Sequence, residues 1–120
     1  MNILIVDDEL KILKFLGNYL NQKGYITTQC QSSEEALRYF LDNINSVDLI
    51  ITDIKMPGMS GLQLVESLFQ KGYEIPIIFM TGHLEEEENV IRSHLEFSDL
   101  LLKPFNLEDL YSKVLKYKNN

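Results

Sequence analysis

Short apolar runs alternate five times with amphipathic stretches along this chain. The runs occupy residues 2–6, 25–29, 48–52, 76–80 and 98–102. Runs one, three and four are mostly Ile, Leu, Val, Phe and Met, the composition of parallel strands covered on both faces. The second, Tyr25-Ile26-Thr27-Thr28-Gln29, is more polar and reads as an edge strand.

Helical periodicity fills the intervals. Residues 9–22 place Leu13, Leu16 and Leu20 on one face, with Lys14, Asn18 and Asn21 elsewhere. Residues 33–42 follow a Ser32-x-x-Glu35 capping box and turn Leu37, Phe40 and Leu41 inward. In 61–70 the stripe is Leu62, Val65, Leu68 and Phe69, and Gly72 closes the helix by permitting a left-handed turn. Residues 107–118, capped by Asn106, use Leu107, Leu110 and Val114. The stretch 84–95 is the weakest helix and the element expected to move most, because Glu85 to Glu88 are four consecutive like charges. Acids in a first turn do suit the positive helix end.

Five βα repeats predict one doubly wound α/β domain over residues 1–120, a five-stranded parallel sheet with right-handed crossovers. In such sheets the functional crevice lies outside the carboxyl ends of the strands. Asp7, Asp8, Asp53, Thr81 and Lys103 all fall at or just past those ends. Neighbouring strands that end in Asp bring like charges together. At ~4 Å each such pair costs about 4 kcal/mol in a partly screened site, roughly three pKa units of pressure toward protonation. A cation between the carboxylates relieves that pressure, so the pattern points to a divalent metal. One Asp would suffice to cap the first helix, and the doublet Asp7-Asp8 exceeds that need. Asp53 also precedes Pro57-Gly58, a common turn composition, but its place directly after Leu49-Ile50-Ile51-Thr52 favours function. Thr81 alone would be a β-branched strand residue and Lys103 a snorkelling surface lysine; only the combination raises them.

A net charge of −7 disfavours nucleic-acid contact by this domain and fits a cation or a basic protein surface. The lone Cys30 excludes an internal disulfide framework and suits a reducing, cytoplasmic setting. No apolar stretch approaches a membrane span, and residues 1–6 run straight into a strand pattern, which argues against a signal peptide.

Four segments in order, Val6-Asp7-Asp8-Glu9, Asp53-Ile54-Lys55-Met56-Pro57-Gly58-Met59-Ser60-Gly61, Met80-Thr81-Gly82 and Lys103-Pro104-Phe105, resemble the receiver domain of two-component response regulators. The resemblance covers essentially the whole chain and implies a flavodoxin-like fold of strand order 2-1-3-4-5. It implies that Asp53 accepts a phosphoryl group from a phosphohistidine on a sensor histidine kinase or phosphotransfer protein. It implies Mg²⁺ held directly by Asp8 and Asp53, by Asp7 through water, and by the backbone carbonyl of Lys55. Thr81 would donate its hydroxyl to the phosphoryl group, Lys103 would pair with it, and a cis peptide is implied between Lys103 and Pro104. A phosphorylation-controlled switch is the expected role, whether a stand-alone regulator of a target protein, a phosphorelay intermediate or the input half of a longer regulator; a DNA-binding output domain is the commonest companion in the family. Residue chemistry agrees: magnesium prefers hard oxygen ligands and keeps displaceable waters. Gly58 and Gly61 suit a loop whose backbone approaches the metal.

Two features depart from the family pattern. Leu100 stands where a Tyr or Phe usually rotates on phosphorylation, and Glu96-Phe97 replaces a common Gly-Ala pair. The expectation is that Thr81 and residues 82–96 carry the change without an aromatic toggle. His83 lies close enough to the crevice to influence entry, whereas His94 reads as solvated; neither has a second His or Cys at ligand spacing. Two rivals remain. A haloacid-dehalogenase-type phosphatase would want an Asp at position 55, where Lys55 stands, and a flavin binder would not place Asp7-Asp8-Glu9 in its phosphate loop.

Overall fold

A computed structural model of the protein describes residues 1–82 and 98–117. The strands are β1 (Asn2–Val6), β2 (Ile26–Cys30), β3 (Leu49–Asp53), β4 (Ile77–Thr81) and β5 (Ser98–Leu102). The helices are α1 (Leu10–Gln22), α2 (Ser33–Asp42), α3 (Gly61–Gln70) and, at the carboxyl terminus, α4 (Leu107–Leu115). All strand pairs are parallel and the order is β2-β1-β3-β4-β5, the flavodoxin-like arrangement. The helix predicted over residues 84–95, with His83, His94 and Glu96-Phe97, lies outside the described residues.

Alternation along the central strands sorts the core onto two faces. Leu4, Val6, Ile50, Ile77 and Phe79 pack with Phe40 of α2 and with Leu64, Val65 and Leu68 of α3. Ile3, Ile5, Leu49, Ile51, Ile78 and Met80 pack instead with Leu13, Leu16 and Leu20 of α1 and Leu110 and Val114 of α4. Each fully buried aliphatic or aromatic side chain is worth roughly 1.5–3 kcal/mol. Strand β2 is an edge, as its polar composition predicts, with Ile26 two-thirds exposed.

Helix ends follow local chemistry. Ser32, Ser60 and Asn106 each accept the amide three residues on, from Glu35, Gln63 and Asp109 respectively. The box predicted at Ser32 is only half made, because Glu35 returns to the amide of Gln31 rather than that of Ser32. The complete box is at Ser60, where the Gln63 side chain accepts the Ser60 amide. Gly24 and Gly72, both at positive φ, end α1 and α3 with the same pair of bonds. After α3, the Gly72 amide donates to Phe69 and the Tyr73 amide to Leu68.

Strands β2, β3 and β4 each begin and end one residue later than the apolar runs indicate. Ladder pairing rather than hydrophobicity sets the end: Asp53 pairs with Met80 and Thr81 with Leu102. Asp53 and Thr81 are therefore strand residues, held by the sheet itself.

Candidate functional site

The carboxyl edge of the sheet gathers side chains from four strands. Asp7 follows β1 immediately, Asp53 closes β3, Thr81 closes β4, and Lys103 follows β5. Because Val6 is in register with Thr52, Asp7 and Asp53 stand on neighbouring strands at the same level. One carboxylate oxygen from each of Asp7, Asp8 and Asp53 lies within 4.8 Å of the others. Asp7 is wholly buried, Asp53 is 8% exposed, and Asp8 faces solvent.

Each buried carboxylate has divided its oxygens between an amide and an ammonium. Asp7 Oδ1 accepts the Glu9 amide at 2.9 Å and Oδ2 accepts Lys103 Nζ at 3.1 Å. Asp53 Oδ1 accepts the Ile54 amide at 2.8 Å and Oδ2 accepts the same Nζ at 3.1 Å. Burial raises the Asp7 pKa above its ordinary value, outweighing the Glu9 amide and the Lys103 charge, which pull it down. Burial alone would lower Lys103; the charges of Asp53 and Asp7, with the hydrogen bonds they accept, outweigh it, and its pKa is raised. Lys103 thus stays an ammonium.

Three carboxylates and one ammonium sum to −2, the complement of a divalent cation. The donors are hard oxygens, the chemistry magnesium selects. Oxygens within 4.8 Å of one another are close enough to share one such ion. Neither Asp7 nor Asp8 is the N-cap of α1; that position is Glu9, which makes no side-chain cap bond.

Thr81 is buried, and its carbonyl accepts the Lys103 amide at 2.8 Å, which seats Lys103 beside the end of β4. The Lys103–Pro104 peptide is cis. Lys55 lies in the β3–α3 loop with an exposed side chain, between the buried Ile54 and Met56. Leu100 pairs with Phe79 and is half-buried against the α2–α3 face of the core.

The glycines flagged by sequence have distinct reasons. Gly58 adopts φ +77°. Gly61 is set by contact: a Cβ there would collide with the carbonyl oxygen of Asp53, while its amide donates to Ile54 at 2.8 Å. Two polar residues escaped the sequence reading. The buried Thr52 hydroxyl donates to the Asp53 carbonyl at 2.9 Å, and the buried Ser33 hydroxyl donates to the Ser60 carbonyl at 3.1 Å. No sequence motif distinguishes Thr52 from an ordinary strand threonine. Ser33 was hidden beside the capping serine, Ser32.

Residues 3–115 match the response regulator receiver domain family, and the chain belongs to it. Members are phosphorylation-controlled switches of two-component systems. The chain is 36% identical to the heme response regulator HssR of Staphylococcus epidermidis, over 95% of its own length and 50% of that protein. It is 31% identical to the transcriptional regulatory protein DltR of Streptococcus agalactiae, with the same coverage. The chain thus spans about half the length of these curated relatives. Among solved structures, a receiver domain protein from Clostridium thermocellum superposes with TM-score 0.87 at 34% identity, covering 98% of this chain and 94% of that one. Response regulator protein TrrA from Thermotoga maritima, in complex with Mg²⁺ and BeF, gives TM-score 0.84 at 34% identity and covers 97% of both chains. Family membership removes the phosphatase and flavin-binder readings.

Proposed function

We propose that Asp53 is the phosphoacceptor and that the chain takes a phosphoryl group from the phosphohistidine of a sensor histidine kinase or phosphotransfer protein. One observation carries this: the Lys103 ammonium, 3.1 Å from Asp53 Oδ2, in a cluster whose three carboxylates and one ammonium sum to −2. An Asp53 oxygen attacks phosphorus, the P–N bond breaks, and the imidazole leaves with the electron pair. The product is an acyl phosphate on Asp53. Transfer of this kind needs positioning and charge neutralisation more than covalent help.

Asp8 and Asp53 would hold Mg²⁺ directly, with Asp7 acting through water and Lys55 through its backbone carbonyl. Bound there, the ion offsets carboxylate charge and that of the incoming phosphoryl oxygens. Lys103 meets the remaining phosphoryl charge and Thr81 offers a hydroxyl donor. Asp7, fixed by the Glu9 amide, keeps the local field negative enough to need a dication. Hydrolysis of the acyl phosphate at the same site would reset the switch.

The phosphorylated domain, residues 1–120 acting as one unit, would signal through the surface of the predicted fourth helix, β5 and α4. A target protein or an output domain would read it; the greater length of the relatives favours the latter. With Leu100 half-buried in place of an aromatic, Thr81 and residues 82–96 would carry the change. A cytoplasmic setting agrees with the lone Cys30, whose thiol burial and the nearby Glu35 push up to about 12. It also agrees with the absence, among the described residues, of any helix able to cross a membrane.

Incubation with labelled acetyl phosphate and Mg²⁺ tests the assignment. The wild type should incorporate label that hydroxylamine removes, and Asp53→Asn should fall to background. Labelling of Asp53→Asn at the wild-type level would move the acceptor elsewhere.

A further inference from the structure

The β3–α3 loop, which follows Asp53 and contains Lys55, is closed on itself by the Gly61 amide bonded to the Ile54 carbonyl at 2.8 Å. A second tie comes from a different element. Ser33, the first residue of α2, is wholly buried and donates its hydroxyl to the Ser60 carbonyl at 3.1 Å. That carbonyl also accepts the Leu64 amide at 3.0 Å, so both its lone pairs are used. The next residue, Gly61, presses against the Asp53 carbonyl so closely that no side chain fits between them. Little slack is left between Ser60 and the backbone of Asp53.

Building on the phosphoacceptor reading, we propose that Ser33 is a positioning residue: its bond to Ser60 fixes the β3–α3 loop against Asp53 and so sets Mg²⁺ affinity at the acidic cluster. Buried hydroxyls without a partner are costly, which explains why Ser33 commits its proton to this one carbonyl. The neighbouring Ser32 makes a useful contrast. Its hydroxyl accepts the Glu35 amide, so it stabilises the same helix end without bonding the loop.

The test compares Ser33→Ala with Ser32→Ala. In the metal-free protein, hydrogen exchange at the Gly61 amide should quicken in Ser33→Ala and stay at the wild-type rate in Ser32→Ala. Titration with Mg²⁺, followed by amide shifts, should give a Kd raised about fivefold in Ser33→Ala, the worth of one neutral hydrogen bond. Ser32→Ala should bind as the wild type does, although it weakens α2. Ser33→Cys, of similar size and a weaker donor, should fall between wild type and Ser33→Ala, and it remains informative if the alanine variant folds poorly. Equal effects in Ser33→Ala and Ser32→Ala, or none in Ser33→Ala, overturn the proposal. A wild type that binds no Mg²⁺ would sink the phosphoacceptor reading and this proposal together, an outcome distinct from a variant that merely matches a binding wild type.

Discussion

The two ends of the sheet have opposite characters. At the carboxyl edge lie Asp7, Thr52, Asp53 and Thr81, all buried, polar and drawn from β1, β3 and β4 or the residue following them. Near the start of β2 the filling is aromatic and apolar. Tyr111 of α4 meets Tyr19 edge-on at 6.4 Å and Tyr25 at 6.5 Å, and the Lys23 ammonium sits 4.8 Å from its ring centre. One end packs surface that water rejects; the other buries charge that water would hold better. Among the described residues every buried side-chain polar atom has a partner, so the carboxyl edge is satisfied, but by one lysine shared between two carboxylates. That difference separates the part of the molecule that gives stability from the part proposed for chemistry.

The sharpest way to break this division is at the exposed member of the acidic cluster. Asp8→Ala should lose nearly all labelling from acetyl phosphate, approaching Asp53→Asn, while unfolding close to wild type without metal. It should also lose stabilisation by Mg²⁺, which in the wild type should amount to about 2.7 kcal/mol at a hundredfold excess over Kd. Denaturant melts with and without Mg²⁺ check both points, and full Mg²⁺ stabilisation of Asp8→Ala would count against direct ligation.

At the other end, Leu20→Ala removes a wholly buried side chain of α1. A loss of about 2–5 kcal/mol is expected, with labelling per folded molecule unchanged. Chemical denaturation gives the first number and labelling at low temperature the second. A comparable loss of labelling would mean the two ends are coupled.

Asp7→Asn should lower labelling while raising the stability of the metal-free protein. Burial raises the Asp7 pKa in the folded protein above its ordinary value. The folded state therefore binds the proton more tightly, and stability falls as pH rises from the unfolded pKa through the raised one. Replacing the carboxylate should stabilise the metal-free protein at neutral pH, and acidification should close the gap as wild-type Asp7 protonates. Melts at several pH values would show it. Destabilisation of Asp7→Asn at neutral pH would mean that Lys103 needs the negative charge more than burial opposes it.

The smallest effect is expected at the surface. Lys116 Nζ lies 2.8 Å from Asp99 Oδ2, but the lysine side chain is largely exposed, so water screens the pair. Lys116→Met should cost less than about 1 kcal/mol and leave labelling intact.

Much of this could be read from residue order. The alternation of runs predicts five strands in a parallel sheet, because two-faced burial requires continuous apolar sequence. That Asp7, Asp8, Asp53, Thr81 and Lys103 would meet at one edge was legible because all lie at or just past the carboxyl ends of strands, where such folds place their crevice. Asn106 and Gly72 acted as predicted, since caps depend only on adjacent residues. Strand ends were less legible: the ladder carries β3 and β4 one residue past their apolar runs, to include Asp53 and Thr81.

What sequence alone determined was local and periodic: which stretches bury a face, where helices stop, and which strand ends carry charge. Tertiary structure decided the rest. Residues 7, 53 and 103 share two 3.1 Å contacts only because β1, β3 and the residue after β5 converge in space. The collision that keeps Gly61 a glycine, and the bond from Ser33 to Ser60 across 27 positions, likewise exist only once helices have docked. A chain written in one dimension records the partners of such contacts but not their meeting, because packing brings together residues that no periodicity relates.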